Sequence, residues 1–511
     1  MLRLLLLVGT QLPASDQRTQ VENHASKGSD LAQSGNLEAA EVELRKAFRL
    51  APSNSRVLGT LGTVLAMQKK FEESNSILMR ALAIEPNNLT LRRYLAANLW
   101  QLHRYSEARR NLEIILKEKS SDPPTLLLLG MVAENMRDYA TAARTLARVP
   151  NLVRVQPESL AALARSYYHI GNRQQARATI DRLSTHPAGL QPALLGAEIA
   201  EEMQDYVSAE NLLLSTQSKF PHLSVLIYRL ARVQYHAKHF DVSQRTLLGL
   251  IDSGYSSSDA YNLLGWCYQQ QGLSTQAANA FEEAISLDPS KESNYFDLGK
   301  IQLANRSLPT ALGVARRAAQ AFPRSSQALL FKGSVELEMG QFTDAIDSYS
   351  GAVRFDTSSP DAVLGLANAQ FAAGIRKDAT DSFEKGIKQF PNDARFRLHY
   401  ALMLLREAET GNALAEDHAK ELLKSALLLD PSLSEAHYQL AQVALKKGRT
   451  GVALTQLEMA VKLDPQSSHT HFALARVYRR LGRQDIAARE MDLYQKLTKT
   501  ASDPNPPKGA R

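Results

Sequence analysis

Apolar residues recur at intervals of three and four positions along most of the chain, the spacing that places side chains on one face of an α-helix. The clearest case is residues 258–291. There, Tyr261, Leu264 and Tyr268 define a first apolar face, and a second apolar face follows a polar Gln-Gly-Leu-Ser turn. The second face ends at Pro289, because proline cannot continue the helical hydrogen bonds. This stretch therefore predicts two antiparallel helices.

Small residues mark the points where these two helices, and the pair that follows, would cross. Gly265, Ala277 and Ala284 carry almost no side chain, so the helix axes can approach closely there. The order large-x2-Leu-Gly-x2-Tyr, then Ala-x3-Phe, then Pro returns about every 34 residues along most of the chain. This pattern resembles the tetratricopeptide repeat (TPR).

The resemblance implies an all-α fold, a right-handed superhelical solenoid of antiparallel helix pairs, here with about 14 repeats. We expect an insertion in the twelfth repeat to form a loop between its two helices. The predicted segments are residues 1–20 as a candidate signal segment, 21–257 as repeats one to seven (more divergent from residue 123 on), 258–499 as repeats eight to fourteen with the insertion near 407–417, and 500–511 as a disordered tail.

Length and composition alone would suggest a different organisation. The chain has 511 residues, 44% of them apolar, which is enough for about three ordinary domains. A repeat array instead buries a continuous ribbon of core, because each repeat contacts only its neighbours. We therefore predict a single long solenoid.

The chain has one cysteine, Cys267, which excludes an intrachain disulfide and a cysteine-rich metal site. Its position inside a predicted helix favours a small buried side chain, and a reactive thiol is the alternative. The net charge of +7 is modest for this length. It permits an acidic partner without requiring one.

The N-terminus has the outline of a secretory signal. Arg3 precedes an apolar run from Leu4 to Val8, whose five residues are fewer than the usual ~7 to 15. We predict export to the periplasm or the extracellular space, with a cytoplasmic protein as the alternative. Beyond this candidate signal, no segment approaches the ~18 apolar residues that a transmembrane helix needs.

Motifs that carry catalytic chemistry are missing from the sequence. It has no His-Glu-x-x-His helix, phosphate-cradling glycine loop, nucleophile elbow or calcium loop. Adjacent carboxylates such as Glu72-Glu73 point in different directions on a helix and are expected to be solvated. The sequence therefore predicts a non-enzymatic protein without cofactors or a small-molecule substrate.

One acidic group could in principle hold a hard cation. Its carboxylates are three and four residues apart in the sixth repeat. The favoured interpretation is that arginines of neighbouring repeats neutralise them, so that no metal site is predicted. His236 and His239 are also close in sequence, but two imidazoles without a third ligand make a poor zinc site. The acidic residues are Glu198, Glu201, Glu202 and Asp205, and the arginines are Arg165, Arg229 and Arg232.

The resemblance also suggests where partners would bind. In the TPR family, the first helix of each repeat lines the concave side, where extended peptides or helices are held. In repeats five to nine these helices are rich in aromatic residues and arginine, the residue types that dominate binding hot spots. The alternative is that several of them pack against the next repeat. The candidate groove residues are Arg165, Tyr168, Tyr228, Arg232, Tyr235, Trp266, Phe296 and Lys300.

Two specialised TPR binding modes are not supported by the sequence. No three consecutive repeats supply the lysines and asparagines with which chaperone-binding members clamp a terminal carboxylate. The asparagine ladder of members attached to sugar-transferring enzymes is also missing. Its positions are occupied here by Ser26, Thr60, Tyr94, Leu128, Ala162 and Leu195.

The C-terminal end offers a second hypothesis. Residues 468–511 contain nine Lys or Arg and four Asp or Glu, and Arg476, Arg479, Arg480 and Arg483 form a basic stripe. Such a stripe could rest on anionic lipid or polysaccharide, whereas the few interleaved aromatic residues argue against nucleic acid. A polar cap that ends the solenoid is the simpler alternative.

Two functional hypotheses follow. The favoured one is a protein–protein interaction scaffold that holds partner segments in the groove. The alternative is an envelope-assembly or polysaccharide-export helper that docks on an anionic surface through its basic C-terminal repeat.

Overall fold

The computed structural model describes residues 14–409 and 413–502. In these ranges all regular structure is helical, with 29 α-helices and no strand. Short connections join most helices to the next one, and the two helices of each pair pack against each other. The predicted all-α array of helix pairs is confirmed.

The chain divides into two compact units, Met1–Tyr255 and Ser256–Arg511, where the sequence suggested a single solenoid. The helices of the first unit are α1 (Ala14–Gln33), α2 (Leu37–Leu50), α3 (Ser55–Met67), α4 (Phe71–Ile84), α5 (Leu89–Gln101), α6 (Tyr105–Glu118), α7 (Pro123–Asn135), α8 (Tyr139–Leu146), α9 (Pro150–Arg154), α10 (Pro157–His169), α11 (Arg173–Ser184), α12 (Leu190–Glu202), α13 (Tyr206–Gln217), α14 (Ser224–His236) and α15 (Phe240–Asp252).

The second unit continues the same alternation of helices. They are α16 (Ser258–Gln270), α17 (Ser274–Leu287), α18 (Glu292–Ala304), α19 (Leu308–Ala321), α20 (Ser326–Glu338), α21 (Phe342–Phe355), α22 (Pro360–Ala372), α23 (Arg376–Gln389), α24 (Ala394–Ala408), α25 (Ala413–Leu429), α26 (Ser434–Lys446), α27 (Thr450–Leu463), α28 (Ser468–Arg480) and α29 (Gln484–Ser502).

Short polar side chains fix where many first helices begin. The side-chain oxygens of Asn54, Asn88 and Asp122 each accept a hydrogen bond from the backbone N–H three residues later, at 3.1–3.2 Å. These bonds satisfy amide groups that have no partner inside the helix. Because such residues recur at the spacing of the repeat, the start of each pair is encoded locally.

The turns inside the pairs share a characteristic backbone wherever the structure describes the whole turn. One residue adopts a positive φ, and it is glycine in several turns, for example Gly272 at φ +75°. In six turns a residue with a side chain takes the same conformation, as Lys238 does at φ +65° and Arg306 at φ +56°. A Cβ atom makes this conformation costly, so these turns are held by the packing of the helices they join.

Small residues lie where helices cross, as predicted. Ala277 and Ala284 are completely buried, and a Cβ atom on Gly265 would lie only 2.8 Å from the Phe281 ring. The ring of Phe281 fills the space between α16 and α17 and is itself fully buried. Cys267 is also fully buried, which confirms the prediction of a small packed side chain.

Two local features differ from the expected repeat. Pro150 starts the short additional helix α9, because proline is accepted at the first position of a helix but not in its interior. The insertion near 407–417 lengthens both neighbouring helices instead of forming only a loop, and α24 and α25 reach 15 and 17 residues. Residues 407–408 and 413–417, which belong to these helices, are mostly good helix formers and include no proline, so the longer helices cost little.

The two ends of the chain and part of the insertion fall outside the described residues. Residues 1–13 of the candidate signal segment and 503–511 of the predicted tail lie there, as do 410–412 within the insertion. Among the described residues, no helix is both long and apolar enough to cross a membrane.

Candidate partner-binding surfaces

The candidate groove residues all lie on first helices of the pairs. Arg165 and Tyr168 are on α10, and Tyr228, Arg232 and Tyr235 are on α14, all in the first unit. In the second unit, Trp266 is on α16, and Phe296 and Lys300 are on α18.

Ion pairs engage both candidate arginines of the first unit. Arg165 Nε lies 2.9 Å from Glu134 Oε1, which belongs to the preceding first helix α7. Glu201 on α12 accepts hydrogen bonds from Arg229 Nε at 2.7 Å and Arg232 Nη2 at 2.8 Å. These pairs tie consecutive first helices together, although Arg232 keeps 44% of its side-chain surface exposed.

Tyr168 is buried, with only 8% of its surface exposed, which corrects its assignment to an open groove. Its hydroxyl donates a hydrogen bond to Asp205 Oδ2 at 3.0 Å. The Asp205 carboxylate also accepts hydrogen bonds from Arg177 Nε at 2.7 Å and Arg177 Nη2 at 3.0 Å. Burial alone would raise the pKa of Asp205, but the hydrogen bonds from Arg177 and Tyr168 outweigh it and lower that pKa. Burial, together with the charge of Asp205, raises the pKa of Tyr168.

The acidic group of the sixth repeat is split by these contacts. Glu201 and Asp205 are engaged by different arginines, whereas Glu198 and Glu202 are exposed. In the described part of the chain, no group of three or more His, Cys, Asp or Glu side chains could hold a metal ion. Of the predicted arginines, Arg229 and Arg232 pair with Glu201, whereas Arg165 pairs with Glu134 instead.

The two candidate histidines have different neighbours: His236 contacts aromatic rings, and His239 contacts a carboxylate. His236 stacks on Tyr206, with ring centroids 5.4 Å apart, and meets Tyr235 edge-on. His239 Nδ1 lies 2.9 Å from Glu210 Oε2. Tyr235 also contacts Phe240, so its ring is half-buried among neighbours with part of its surface open.

In the second unit, Asp297 organises a small polar cluster beside Trp266. Asp297 Oδ2 accepts from Asn262 Nδ2 at 3.0 Å and from Trp266 Nε1 at 3.4 Å. Lys300 Nζ lies 3.5 Å from Asp297 Oδ1 and is 66% exposed. The Trp266 ring meets Phe281 edge-on at 5.5 Å between centroids. Trp266 is therefore held in one orientation and remains partly accessible.

Phe296 fits the alternative interpretation, in which a candidate groove residue packs against the next repeat. Its ring packs edge-on against Phe331 of the next first helix, α20, with 5.9 Å between centroids. It is half-buried. Phe296 thus joins two consecutive repeats and offers only part of one ring to a partner.

The four arginines of the basic stripe are exposed. Arg476, Arg479 and Arg480 are on α28, and Arg483 lies in the turn before α29. The Arg476 guanidinium lies over the Phe472 ring, 5.9 Å from its centroid. None of the four forms an ion pair with a carboxylate in the described residues 413–502.

A cleft of about 320 Å³ opens between α26 and α28. Two arginines of the stripe, Arg476 and Arg480, line it, whereas Arg479 and Arg483 do not. The opposite wall comes from α26 and adds an aromatic ring, an amide and a third cation. The lining includes Tyr438, Gln442, Lys446, Phe472, Arg476 and Arg480.

Three family models described as tetratricopeptide repeat match the chain, at residues 258–291, 296–360, 336–405, 412–468 and 438–504. The chain is a tetratricopeptide repeat protein. All the matched residues belong to the second unit of this TPR protein. No match was found among curated proteins.

Solved structures similar to this TPR protein include three proteins or complexes. The APC/C hetero-tetramer Cut9-Hcn1 is 14% identical, with 88% of this chain and 95% of that chain covered and a TM-score of 0.36. A tetratricopeptide repeat protein from Parabacteroides merdae ATCC 43184 is 19% identical, with coverages of 56% and 99% and a TM-score of 0.28. Naa15/Naa10 bound to HypK-THB is 14% identical, with coverages of 95% and 94% and a TM-score of 0.33.

Several residues that shape these surfaces of the TPR protein were not identified from its sequence. Asn262, Asp297 and Tyr438 are polar or aromatic residues on first helices, but each is unremarkable in its own repeat. The only available signal was their separation from a partner by about one repeat, as for Asn262 and Asp297. That spacing indicates neighbouring first helices, but not which side chains meet.

Proposed function

We propose that this TPR protein is a non-enzymatic scaffold that binds segments of partner proteins on the open faces of its first helices. The TPR fold supports a protein-interaction scaffold in general. We place the binding surfaces at one location in each unit. In the first unit they centre on Arg232 and Tyr235, and in the second on Trp266 and Lys300. Each of these four side chains is at least partly accessible to solvent.

The orientation of Trp266 carries the proposal. A tryptophan held by a hydrogen bond to Asp297 and by Phe281 loses little conformational entropy when a partner covers it. Tryptophan is also one of the residue types enriched among binding hot spots. The exposed ammonium of Lys300 beside it can select a partner segment with a complementary carboxylate.

Quantitative affinity capture tests the proposal. Trp266→Ala should weaken capture of the main partner by about 2 kcal/mol or more in binding free energy. Phe355→Ala is a matched control, because Phe355 is an exposed aromatic residue on the second helix α21. Trp266→Phe separates loss of the anchor from a change in folding, since it keeps an aromatic ring in the same place. Equal capture by the wild-type chain and Trp266→Ala would contradict the proposal.

A second candidate function is docking on an anionic surface, such as lipid or polysaccharide, in an envelope-assembly or export role. It is favoured by the four exposed arginines of the basic stripe, which have no carboxylate partner among the described residues 413–502. Binding to anionic vesicles should then weaken as salt is added, because salt screens exposed charges. Replacing all four arginines by glutamine should abolish it, and salt-insensitive binding would count against this candidate. The envelope role also requires export, which cell fractionation tests.

A further inference from the structure

The cleft between α26 and α28 combines three cations with two aromatic rings. Lys446 lies at the end of α26, and Arg476 and Arg480 lie one turn apart on α28. Val477 and Leu445 provide an apolar floor between them. At about 320 Å³ the cleft is at the lower end of the range for ligand sites, large enough for a few side chains.

The carboxylates near this cleft are occupied elsewhere. Glu435 on α26 accepts from Gln439 Nε2 at 2.7 Å. Glu458 on α27 accepts from the Tyr478 hydroxyl at 2.8 Å, and Glu490 on α29 lies 2.6 Å from His471 Nδ1. None of the three cations of the cleft has an ion-pair partner among the described residues 413–502. Their charges remain available to a ligand.

The same position carries a cation in three successive first helices. Arg406, Lys446 and Arg480 are each the thirteenth residue counted from the first residue of α24, α26 and α28. A row of cations along consecutive helices suits an extended chain with several negative charges. It suits a single small anion less well.

We propose that the α26–α28 cleft binds an acidic segment of a partner protein through the side-chain carboxylates of that segment. Planar guanidinium groups such as those of Arg476 and Arg480 pair with carboxylates in a two-pronged geometry. The apolar floor then takes the methylene groups between the charges. The inference rests on the proposed scaffold function, because the ligand is a segment of a partner protein.

The shape of the site favours a peptide over the other polyanions. A flat lipid surface reaches protruding side chains, whereas Val477 and Tyr438 lie inside the cleft. Nucleic acid binding commonly uses aromatic faces as stacking platforms. Here Arg476 lies over the Phe472 ring, and Tyr438 meets His469 edge-on at 4.5 Å between centroids. A narrow chain with carboxylates fits these restraints.

Fluorescence polarisation with the full chain and a short poly-glutamate peptide, blocked at both termini, tests the inference. Blocking the C-terminus ensures that only side-chain carboxylates can be recognised. The cleft variant is Arg476→Gln with Arg480→Gln. The matched control is Arg479→Gln with Arg483→Gln, which removes the same charge from the same stripe but outside the cleft. Circular dichroism checks that both variants remain folded.

We expect the peptide to bind the wild-type chain, and the cleft variant to bind it about tenfold or more weakly. The control variant should stay within about threefold of the wild type, since its arginines contribute only long-range charge. Equal weakening in both variants, weakening in neither, or no binding of the peptide to the wild type would each overturn the inference. The inference would also be overturned if the cleft variant lost binding only to vesicles of phosphatidylserine and phosphatidylcholine and still bound the peptide. None of these results bears on the Trp266→Ala capture experiment, so the proposed function is judged separately.

Discussion

At the scale of single residues, the contact of Asp205 with Arg177 and Tyr168 joins two repeats of the first unit through a buried carboxylate. Asp205 is 2% exposed and receives three hydrogen bonds from these two side chains. Arg177 and Asp205 are about one repeat apart in sequence and lie on consecutive pairs. In the other ion pairs between described repeats the carboxylate keeps more contact with solvent, as Glu134 does at 11% exposure, and solvent weakens such pairs. The hydrogen bonds from Arg177 and Tyr168 compensate the burial of the Asp205 carboxylate, which would cost a large free energy without partners.

We expect Asp205→Asn to lower the free energy of unfolding of the first unit by about 2 kcal/mol at neutral pH, because it weakens the bonds to Arg177 and Tyr168. Since folding lowers the pKa of Asp205, its stabilisation is complete above the ordinary aspartate pKa of about 3.9 and is lost as pH falls through the lower folded value. Urea unfolding measured at pH 7 and pH 3 should therefore show a smaller difference between variant and wild type at the acid pH. Asp181→Asn, at an exposed site on α11, is the control.

Gly265 gives a second prediction at this scale. A methyl group added there would lie 2.8 Å from the buried Phe281 ring, so Gly265→Ala should cost about 1–3 kcal/mol of stability. Gly313→Ala on α19 is the matched control, because no atom lies within 4 Å of the added Cβ. It should stabilise the helix by about 0.5–1 kcal/mol. Thermal unfolding followed by circular dichroism distinguishes the two, and equal effects would contradict the packing described at Gly265.

At the scale of elements, the turn inside each helix pair sets the pair's geometry. The left-handed residue recurs from pair to pair whether or not it is glycine, as Gly272, Lys238 and Arg306 show. Turns with a side chain at this position therefore contain backbone strain, and turns with glycine there do not. Glycine at these positions is favourable but not required for the turn to form.

Lys238→Gly and Arg306→Gly should each stabilise the unit that contains them by about 0.5–1 kcal/mol, because the left-handed strain disappears. Gly272→Ala should destabilise the second unit by a similar amount. Chemical unfolding of the three variants measures the changes. Destabilisation by both glycine substitutions would show that the side chains of Lys238 and Arg306 contribute more through contacts than they cost in strain.

The sequence predicted these elements well and their side-chain contacts poorly. Helix pairs and the small residues at crossings follow from local periodicity, so α16 and α17 lie where expected. The burial of Tyr168 and the pairing of Arg165 with Glu134 depend on which faces meet between helices some 30 residues apart. The extended α25 was missed for another reason, because an insertion that continues a helix looks like a loop when only repeat spacing is considered.

At the scale of the whole molecule, each unit has hydrophobic clusters of its own. Leu112 and Leu160 are fully buried in the first unit, and Phe281, Phe383 and Phe396 in the second. Stability in a repeat array is approximately a sum over repeats and their nearest-neighbour contacts. Each unit therefore contains the interactions that its own repeats need.

We expect residues 14–255 and 256–502, expressed separately, to fold into helical proteins, because neither lacks a core. Circular dichroism and cooperative urea unfolding check this expectation. Hydrogen exchange on the full chain provides a second measurement, since Asp205→Asn should reduce protection in the first unit and leave the second unchanged. A loss of protection throughout the chain, or an unfolded fragment, would show that the units depend on each other.

The single cysteine has a practical consequence for studying how this protein moves. Since Cys267 has no exposed surface, maleimide and nitroxide reagents will leave it untouched while the chain is folded. Cysteines introduced at chosen surface sites can therefore be labelled selectively without first removing a native thiol. One label in each unit would let spin-label distance measurements or single-molecule fluorescence follow the separation between them in solution, with and without a bound partner.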